Sequence, residues 1–291
     1  MARHGAGNLI MAYETILVEN DSGIIRITLN KPDKRNAICT TMRRELVEAI
    51  EQAGRDPDAG CVVISGSGKG FCSGYDISSG QMEGGEAISL PRRALETAEM
   101  SRAWSRIWDA PITVIAQIHG YCLAGGTDLA LNCDLVLTAG DATIGFPALR
   151  MGGTPPTSMW IYNVGPQWAK RLLLTGDTFT GRLAEKIGFA LESAPADELD
   201  ERVTFLARRI VAMGRDIAGI NKYVINRGLE LMGRGTLQNI AAPFDALANQ
   251  APEMGAFMKR AEEIGLGAAF KERDAPFKEG VPIDVPDNER D

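Results

Sequence analysis

The fold of this chain is decided by the stretch His119-Gly120-Tyr121-Cys122-Leu123-Ala124-Gly125-Gly126-Thr127-Asp128-Leu129. It follows an apolar strand pattern at Ile112–Ile118 and passes through paired glycines into a helical pattern. Because the first amides of a helix have no acceptor within it, such a turn presents N–H groups and the positive end of the helix dipole. It therefore suits an anion or a developing oxyanion, although an ordinary tight turn is the simpler interpretation of this motif alone.

A second turn of the same character lies upstream. An apolar strand pattern at Cys61–Ser65 leads into a glycine-rich turn and then into Phe71-Cys72-Ser73-Gly74-Tyr75-Asp76-Ile77. The glycines at 66–70 lack the spacing of a phosphate-binding loop, so they predict a plain turn. The two segments together favour a site that stabilises negative charge more strongly than either does alone.

Length and charge narrow the class of protein. The chain has 291 residues, a hydrophobic fraction of 45% and a formal net charge of −7. That length can form a large core, and the acidic balance argues against nucleic acid or an anionic membrane as a partner. No apolar run approaches the roughly 20 residues of a membrane-spanning helix, and the N-terminus does not resemble a secretion signal. We therefore expect a cytoplasmic protein.

The cysteines and histidines restrict the chemistry. Five cysteines without C-x-x-C spacing predict reduced, mostly buried thiols. Two histidines, His4 and His119, are too few for a multi-histidine metal cluster and make a Ser-His-Asp triad improbable. We expect no metal site.

Periodicity predicts a single α/β core with a helical C-terminal extension. We expect a flexible leader over 1–12, a core over 13–212 and C-terminal helices over 213–291. A helix with Thr40 or Thr41 as its N-cap follows two strand patterns, and Ser78–Ser89 predicts a mobile loop. The rhythm of strand, strand and helix differs from a doubly wound sheet.

Several motifs, in this order and spacing, resemble the crotonase family, the enoyl-CoA hydratase/isomerase superfamily. The resemblance covers about Tyr13 to Phe277 and includes both turns above. It also includes Leu29-Asn30-Lys31-Pro32, Lys34-Arg35-Asn36-Ala37, Asn132-Cys133-Asp134, Gly145-Phe146-Pro147 and Ala269-Phe270-Lys271-Glu272-Arg273-Asp274-Ala275-Pro276-Phe277. It implies a spiral of ββα turns with C-terminal helices that form a homotrimer or a dimer of trimers.

The resemblance also implies a substrate and a set of site residues. The substrate is an acyl-CoA thioester, with no cofactor beyond that CoA, and its carbonyl lies between the backbone N–H groups of Ser73 and Gly125. Those donors stabilise a thioester enolate, a charge that develops only during reaction. Substrate or CoA binding is assigned by motif position to Arg35, Ala37, Tyr75, Asp76, Ile77, Ala148, Phe270 and Lys271.

The acid–base positions depart from the pattern of the family. A typical hydratase of this family has two glutamates; the first matches Asp128 and the second matches Ala148, which cannot transfer a proton. Asp128 is then either the catalytic acid–base group or a carboxylate that stabilises the start of its helix. Both interpretations stay open on sequence grounds.

Three functions follow, in order of preference. The first is an enoyl-CoA hydratase or isomerase that works with Asp128 alone. The second keeps the enolate but changes the reaction to carbon–carbon bond cleavage or formation, or decarboxylation. The third is a non-catalytic acyl-CoA binder, suggested by the missing acid at Ala148 and disfavoured by the two intact turns.

Overall fold

A computed structural model describes residues 13–77, 89–279 and 281–286. The predicted leader over 1–12 lies outside these residues, as does the predicted loop Ser78–Ser89 except for its last residue.

The main sheet has six strands in the order β1-β2-β3-β4-β6-β9. β1 and β2 are antiparallel, and every later pair in this sheet is parallel. The sequence predicts the first four strands to within about two residues, because their runs of Ile, Val and Leu are buried. The strands are β1 (Ile16–Asp21), β2 (Ile24–Leu29), β3 (Cys61–Gly66), β4 (Thr113–Ile118), β6 (Leu135–Ala139) and β9 (Glu192–Ala194).

A second sheet of three short strands, in the order β5-β7-β8, lies beside the first in the fold. Its strands are β5 (Tyr121–Leu123), β7 (Thr143–Gly145) and β8 (Thr178–Thr180). The pairs β4–β5 and β6–β7 each place one strand in the main sheet and the next in the second sheet. A helix follows each of these pairs, as α1 follows β1 and β2, which gives the expected ββα turns. The sequence analysis missed β5, β7, β8 and β9, because three residues are too few to show a period.

Ten helices accompany the sheets in the described part of the chain. The first, α1, begins at Thr40 after Cys39, and no side chain caps it, so the prediction of Thr40 or Thr41 as N-cap is wrong. The helices are α1 (Thr40–Arg55), α2 (Leu90–Trp108), α3 (Gly125–Leu131), α4 (Trp160–Leu173), α5 (Gly181–Ile187), α6 (Leu199–Met213), α7 (Arg215–Leu231), α8 (Arg234–Ala248), α9 (Pro252–Ile264) and α10 (Leu266–Asp274).

The cysteines form no disulfide in the described structure, and all of them except the half-buried Cys39 are buried. Burial raises the pKa of Cys72 to about 12. Because the thiolate is the reactive form, this cysteine is an inert part of the core rather than a nucleophile.

Candidate active site

The two glycine turns predicted from sequence meet in the structure. Cys72 pairs with Cys122 in an isolated parallel bridge, with Cys72 N–H donating to Tyr121 O at 3.1 Å and Leu123 N–H donating to Cys72 O at 2.9 Å. A Cβ at Gly126 would lie 2.9 Å from Cys72 O, and real Cβ atoms are not found that close. Only glycine at position 126 therefore lets the turn that carries Cys72 pack this close to the turn that carries Gly125.

Gly125 is held against Tyr75. A Cβ at Gly125 would lie 2.6 Å from the Tyr75 ring, so only glycine lets the ring pack on this backbone. Ala124, the residue before it, has φ 49° and ψ −123°. A non-glycine residue in this region is strained by about 1–3 kcal/mol, and such strain concentrates at functional sites.

The backbone amides of Tyr75 and Gly125, one at each turn, have no acceptor in the described structure. A Cβ at Gly74, which precedes Tyr75, would lie 3.3 Å from Gly125 N, so the two amides are close neighbours. The Ser73 amide, by contrast, donates to Arg35 O at 3.1 Å. This corrects the assignment of Ser73: its N–H is already used, and the free amide of this turn lies two residues later.

Asp128 lies in the first turn of α3 and has no exposed surface. Its Oδ1 accepts from Thr157 Oγ1 at 2.5 Å and its Oδ2 accepts from Tyr75 Oη at 3.1 Å. Burial raises the pKa of Asp128 to about 7, against the lowering effect of these two hydrogen bonds, and the charge of Asp245 raises it further.

Tyr75 connects Asp128 to α2. Its hydroxyl accepts from Trp104 Nε1 at 3.0 Å while it donates to Asp128. Burial and the neighbouring carboxylate raise the pKa of Tyr75 well above 10, so the phenol stays protonated. The residue Tyr75 keeps some exposed surface, whereas Asp128 has none.

Ala148 lies in the turn that follows β7, and one loop links it to the Asp128 carboxylate. Gly153 N–H donates to Ala148 O at 3.0 Å, and the loop that continues from Gly153 carries Thr157, which binds Asp128. Thr157 and Asp245 were missed by the sequence analysis. Thr157 belongs to no motif, whereas Asp245 had a usable signal, a carboxylate between buried alanines on the inner face of α8.

Arg35 and Ala37 lie in the segment that precedes α1, beside the turn Phe71–Ile77. Ile38 N–H donates to Gly74 O at 2.8 Å and Asp76 N–H donates to Ile38 O at 3.0 Å, which places this segment beside Tyr75, Asp76 and Ile77. Arg35 is exposed, with φ 54°. The structure thus places Arg35 and Ala37 beside the turn that carries Tyr75, Asp76 and Ile77.

Phe270 and Lys271 lie elsewhere in this chain, on α10. Phe270 packs on Phe257 with ring centroids 5.1 Å apart, and Lys271 is exposed. The described residues show no hydrogen bond or ion pair from either side chain to Arg35, so their role at CoA stays a prediction.

The described residues contain no group of His, Cys, Asp and Glu side chains able to hold a metal ion. None of their helices is long and apolar enough to cross a membrane. A cleft of about 790 Å³ lies between α7 and the core, around Lys222 and Asn226, and its lining does not include Tyr75, Gly125 or Asp128.

The two-sheet spiral and the paired turns define an α/β protein of the crotonase fold. An enoyl-CoA hydratase structure from Mycobacterium smegmatis matches with a TM-score of 0.86 and 35% identity, covering 92% of this chain and 96% of that chain. An enoyl-CoA hydratase/isomerase structure from Xanthobacter autotrophicus Py2 matches with a TM-score of 0.85 and 33% identity, covering 91% and 99%.

The sequence comparisons agree with this fold. The model of the family described as Enoyl-CoA hydratase/isomerase matches residues 19–261. A probable enoyl-CoA hydratase of Mycobacterium bovis is 32% identical over 256 residues, which are 86% of this chain and 97% of that protein. The chain therefore belongs to the enoyl-CoA hydratase/isomerase family and is an enzyme of that family.

Proposed function

We propose that this enzyme holds the carbonyl of an acyl-CoA thioester between the amides of Tyr75 and Gly125 and hydrates an enoyl-CoA. The observation that carries the proposal is the pair of unengaged amides at two converging turns, beside a buried aspartate whose pKa is raised to about 7. The family supports the class of substrate, and a crotonyl-CoA hydratase of Syntrophomonas wolfei is 31% identical over 228 residues, covering 76% of this chain and 84% of that protein.

The amide pair acts on the charge that develops at the thioester oxygen. As the oxygen of water adds to the β-carbon, the electrons of the double bond shift toward the carbonyl and leave an enolate. Fixed N–H donors bind that enolate more strongly than the neutral carbonyl, so they lower the barrier. Loss of one such donor typically raises the barrier by about 2.7–4 kcal/mol.

Asp128 serves as the acid–base group, and Tyr75 connects it to the substrate. With both carboxylate oxygens bonded and no exposed surface, Asp128 exchanges protons through the Tyr75 hydroxyl. A pKa of about 7 lets it hold or release a proton near neutral pH, which efficient general acid–base catalysis requires.

The alanine at the second acid position favours a second candidate function. Carbon–carbon bond cleavage or formation, or decarboxylation, also proceeds through an enolate and needs less help from two carboxylates. Ala148 is the specific observation behind this alternative, and behind a third, a non-catalytic acyl-CoA binder. Turnover of β-keto or malonyl thioesters would favour the second function, and tight binding without any turnover would favour the third.

The first experiment follows the loss of conjugated thioester absorbance with crotonyl-CoA, for wild type, Asp128→Asn and Ala148→Glu. Hydration by wild type but not by Asp128→Asn supports a hydratase with the proposed acid–base group. Full activity of Asp128→Asn contradicts that role. A silent wild type with an active Ala148→Glu shows that the enolate site is intact and that the natural reaction is another one.

The rest of the substrate and the assembly are proposed from the same family. Arg35 and Ala37 are proposed to bind the nucleotide end of CoA, with the guanidinium pairing a phosphate. Phe270 and Lys271 are proposed for the adenine end. The assembly is proposed to be a homotrimer or a dimer of trimers in the cytoplasm, formed through the C-terminal helices.

A further inference from the structure

Asp245 lies on the inner face of α8, and only 8% of its surface is exposed. Its neighbours on that face, Ala242 and Ala246, are buried and apolar. A carboxylate in such surroundings is costly unless it is paired or has a role at a site.

One short loop connects Asp245 to Asp128. Thr154 donates to Asp245 Oδ1 with its N–H at 2.8 Å and with its hydroxyl at 3.3 Å. Three residues later, Thr157 donates to Asp128 Oδ1 at 2.5 Å. The same loop begins beside Ala148, through the bond from Gly153 N–H to Ala148 O. Asp245 therefore lies in the part of the site from which the second acid is missing.

The second oxygen of Asp245 is available. Oδ2 has no hydrogen-bond partner among the described residues, and it is not one of the fully enclosed polar atoms. Both oxygens of Asp128 are occupied, so Asp245 is the carboxylate better placed to contact a water molecule directly.

Asp245 interacts electrostatically with Arg93, Asp128 and Tyr75. Arg93 on α2 favours its ionised form, although the described structure shows no ion pair between them. Asp128 and Tyr75 are both affected by its negative charge. Burial raises the pKa of Asp245 to about 6, below the value of about 7 for Asp128, so Asp245 is the first of the two carboxyls to ionise as the pH increases.

We propose that Asp245 supplies the second carboxylate of this site, in place of the acid absent at Ala148, and takes the proton of the attacking water. This assignment rests on the proposed hydration. Asp245 lies on α8, and unlike Ala148 it belongs to no position that the motifs of the sequence analysis cover.

In the proposed hydration, ionised Asp245 takes one proton from water while the water oxygen bonds to the β-carbon. The electrons of the double bond move to the thioester oxygen. The enolate then collapses and its α-carbon takes a proton from the Tyr75 hydroxyl, which is refilled by protonated Asp128. Asp245 is left protonated and Asp128 ionised, and exchange with solvent restores both.

The test compares Asp245→Asn, Asp245→Glu and Asp245→Asn/Ala148→Glu with wild type, using kcat and KM against pH for the best enoyl-CoA substrate. The control is Asp197→Asn, an exposed aspartate outside the site. We expect Asp245→Asn to lower kcat by roughly 10²–10⁴-fold with little change in KM, and to remove one limb of the pH profile. Asp245→Glu and the double variant should recover part of the activity, which a purely structural role would not allow.

Activity of Asp245→Asn within about threefold of wild type would overturn the assignment while leaving the proposed function intact. A wild type that hydrates no enoyl thioester contradicts the proposed function instead. In that case ¹³C NMR titration of the aspartate carboxyls decides: a downward shift of the Asp128 pKa in Asp245→Asn supports the paired site, and an unchanged titration overturns it.

Discussion

Tyr75 is the residue on which most of the site depends. Its amide is free, its ring packs on the backbone of Gly125, and its hydroxyl joins Trp104 to Asp128. The sequence analysis placed Tyr75 at the substrate but assigned the donor to Ser73. Sequence could not separate the two, because which amide in a glycine turn is free depends on where the neighbouring strand accepts its hydrogen bonds.

Replacing Tyr75 by Phe isolates the role of the hydroxyl. The ring and the amide remain, so we expect KM to change little while kcat falls by roughly 10²–10⁴-fold. Loss of the hydrogen bond that lowers the pKa of Asp128 should also move the alkaline limb of the pH profile upward, because Asp128 acts in its protonated form. Steady-state kinetics against pH checks both effects.

Tyr162→Phe is the matched control, since its hydroxyl lies 3.5 Å from Met232 O, outside the site. An unchanged kcat for Tyr75→Phe would contradict proton transfer through this hydroxyl.

Asp128 should make the stability of the protein depend on pH. Its pKa rises from 3.8 to about 7 on folding, so between these values only the folded state holds the proton. The unfolding free energy therefore falls as pH increases through this window, by up to about 1.4 kcal/mol per pH unit for one proton. Asp128→Asn cannot ionise, so its stability relative to wild type should increase from about pH 4 to about pH 7.

Urea unfolding of both proteins at several pH values measures this difference. Asp197→Asn provides the baseline, because that aspartate is exposed in the folded state. A difference between Asp128→Asn and wild type that stays constant with pH would mean that Asp128 keeps an ordinary pKa.

At the scale of elements, α7 is attached to the core by a buried ion pair. Lys222 Nζ donates to Asp134 Oδ2 at 2.7 Å and to Ile112 O at 2.9 Å, and the lysine side chain is 7% exposed. Asp134 also accepts from Val114 N–H at 2.7 Å. The pair thus joins α7 to the residues at the starts of β4 and β6.

Lys222→Met leaves Asp134 without its cation, and we expect a loss of about 3–5 kcal/mol in the free energy of unfolding. Lys222→Met/Asp134→Asn removes the uncompensated charge, so it should recover part of that loss. Lys259→Met, at an exposed position of α9, is the control. Urea denaturation of the four proteins decides, and equal stability of Lys222→Met and wild type would show that the pair contributes nothing.

The strands and helices differ in how well the sequence predicts them. The apolar strands β3 and β4 were predicted closely, because their burial requires a continuous apolar run. The three-residue strands were not, because pairing with a distant partner creates them. The link between Asp128 and Asp245 was missed for the same reason, since it joins residues far apart in sequence through a loop without a motif.

At the scale of the whole molecule, the site depends on parts of the chain that fold around it in layers. The core spiral supplies the free amides and Asp128, α2 supplies Trp104, and α8 supplies Asp245. The C-terminal helices therefore belong to the site as well as to the proposed oligomer. A change in how they pack should reach the chemistry through the loop at Thr154.

Helix α7 leaves an apolar face uncovered in the single chain. Ile217, Ile220 and Val224 are spaced three and four residues apart, so they share one face, and they are 53%, 61% and 63% exposed. Exposed apolar patches of this kind mark interaction surfaces. Together with the family, this face supports the proposed homotrimer or dimer of trimers.

Light scattering coupled to size-exclusion chromatography tests the oligomer. We expect wild type to have three or six times the mass of one chain, and Ile220→Glu to shift toward the monomer, because burying a glutamate in an apolar interface is costly. Leu174→Glu, at a position that is 81% exposed and outside α7, is the control. If Ile220→Glu keeps the mass of wild type, this face does not form the interface. If it dissociates, activity measured on the same fractions shows whether packing between chains holds α8 and Asp245 in the site.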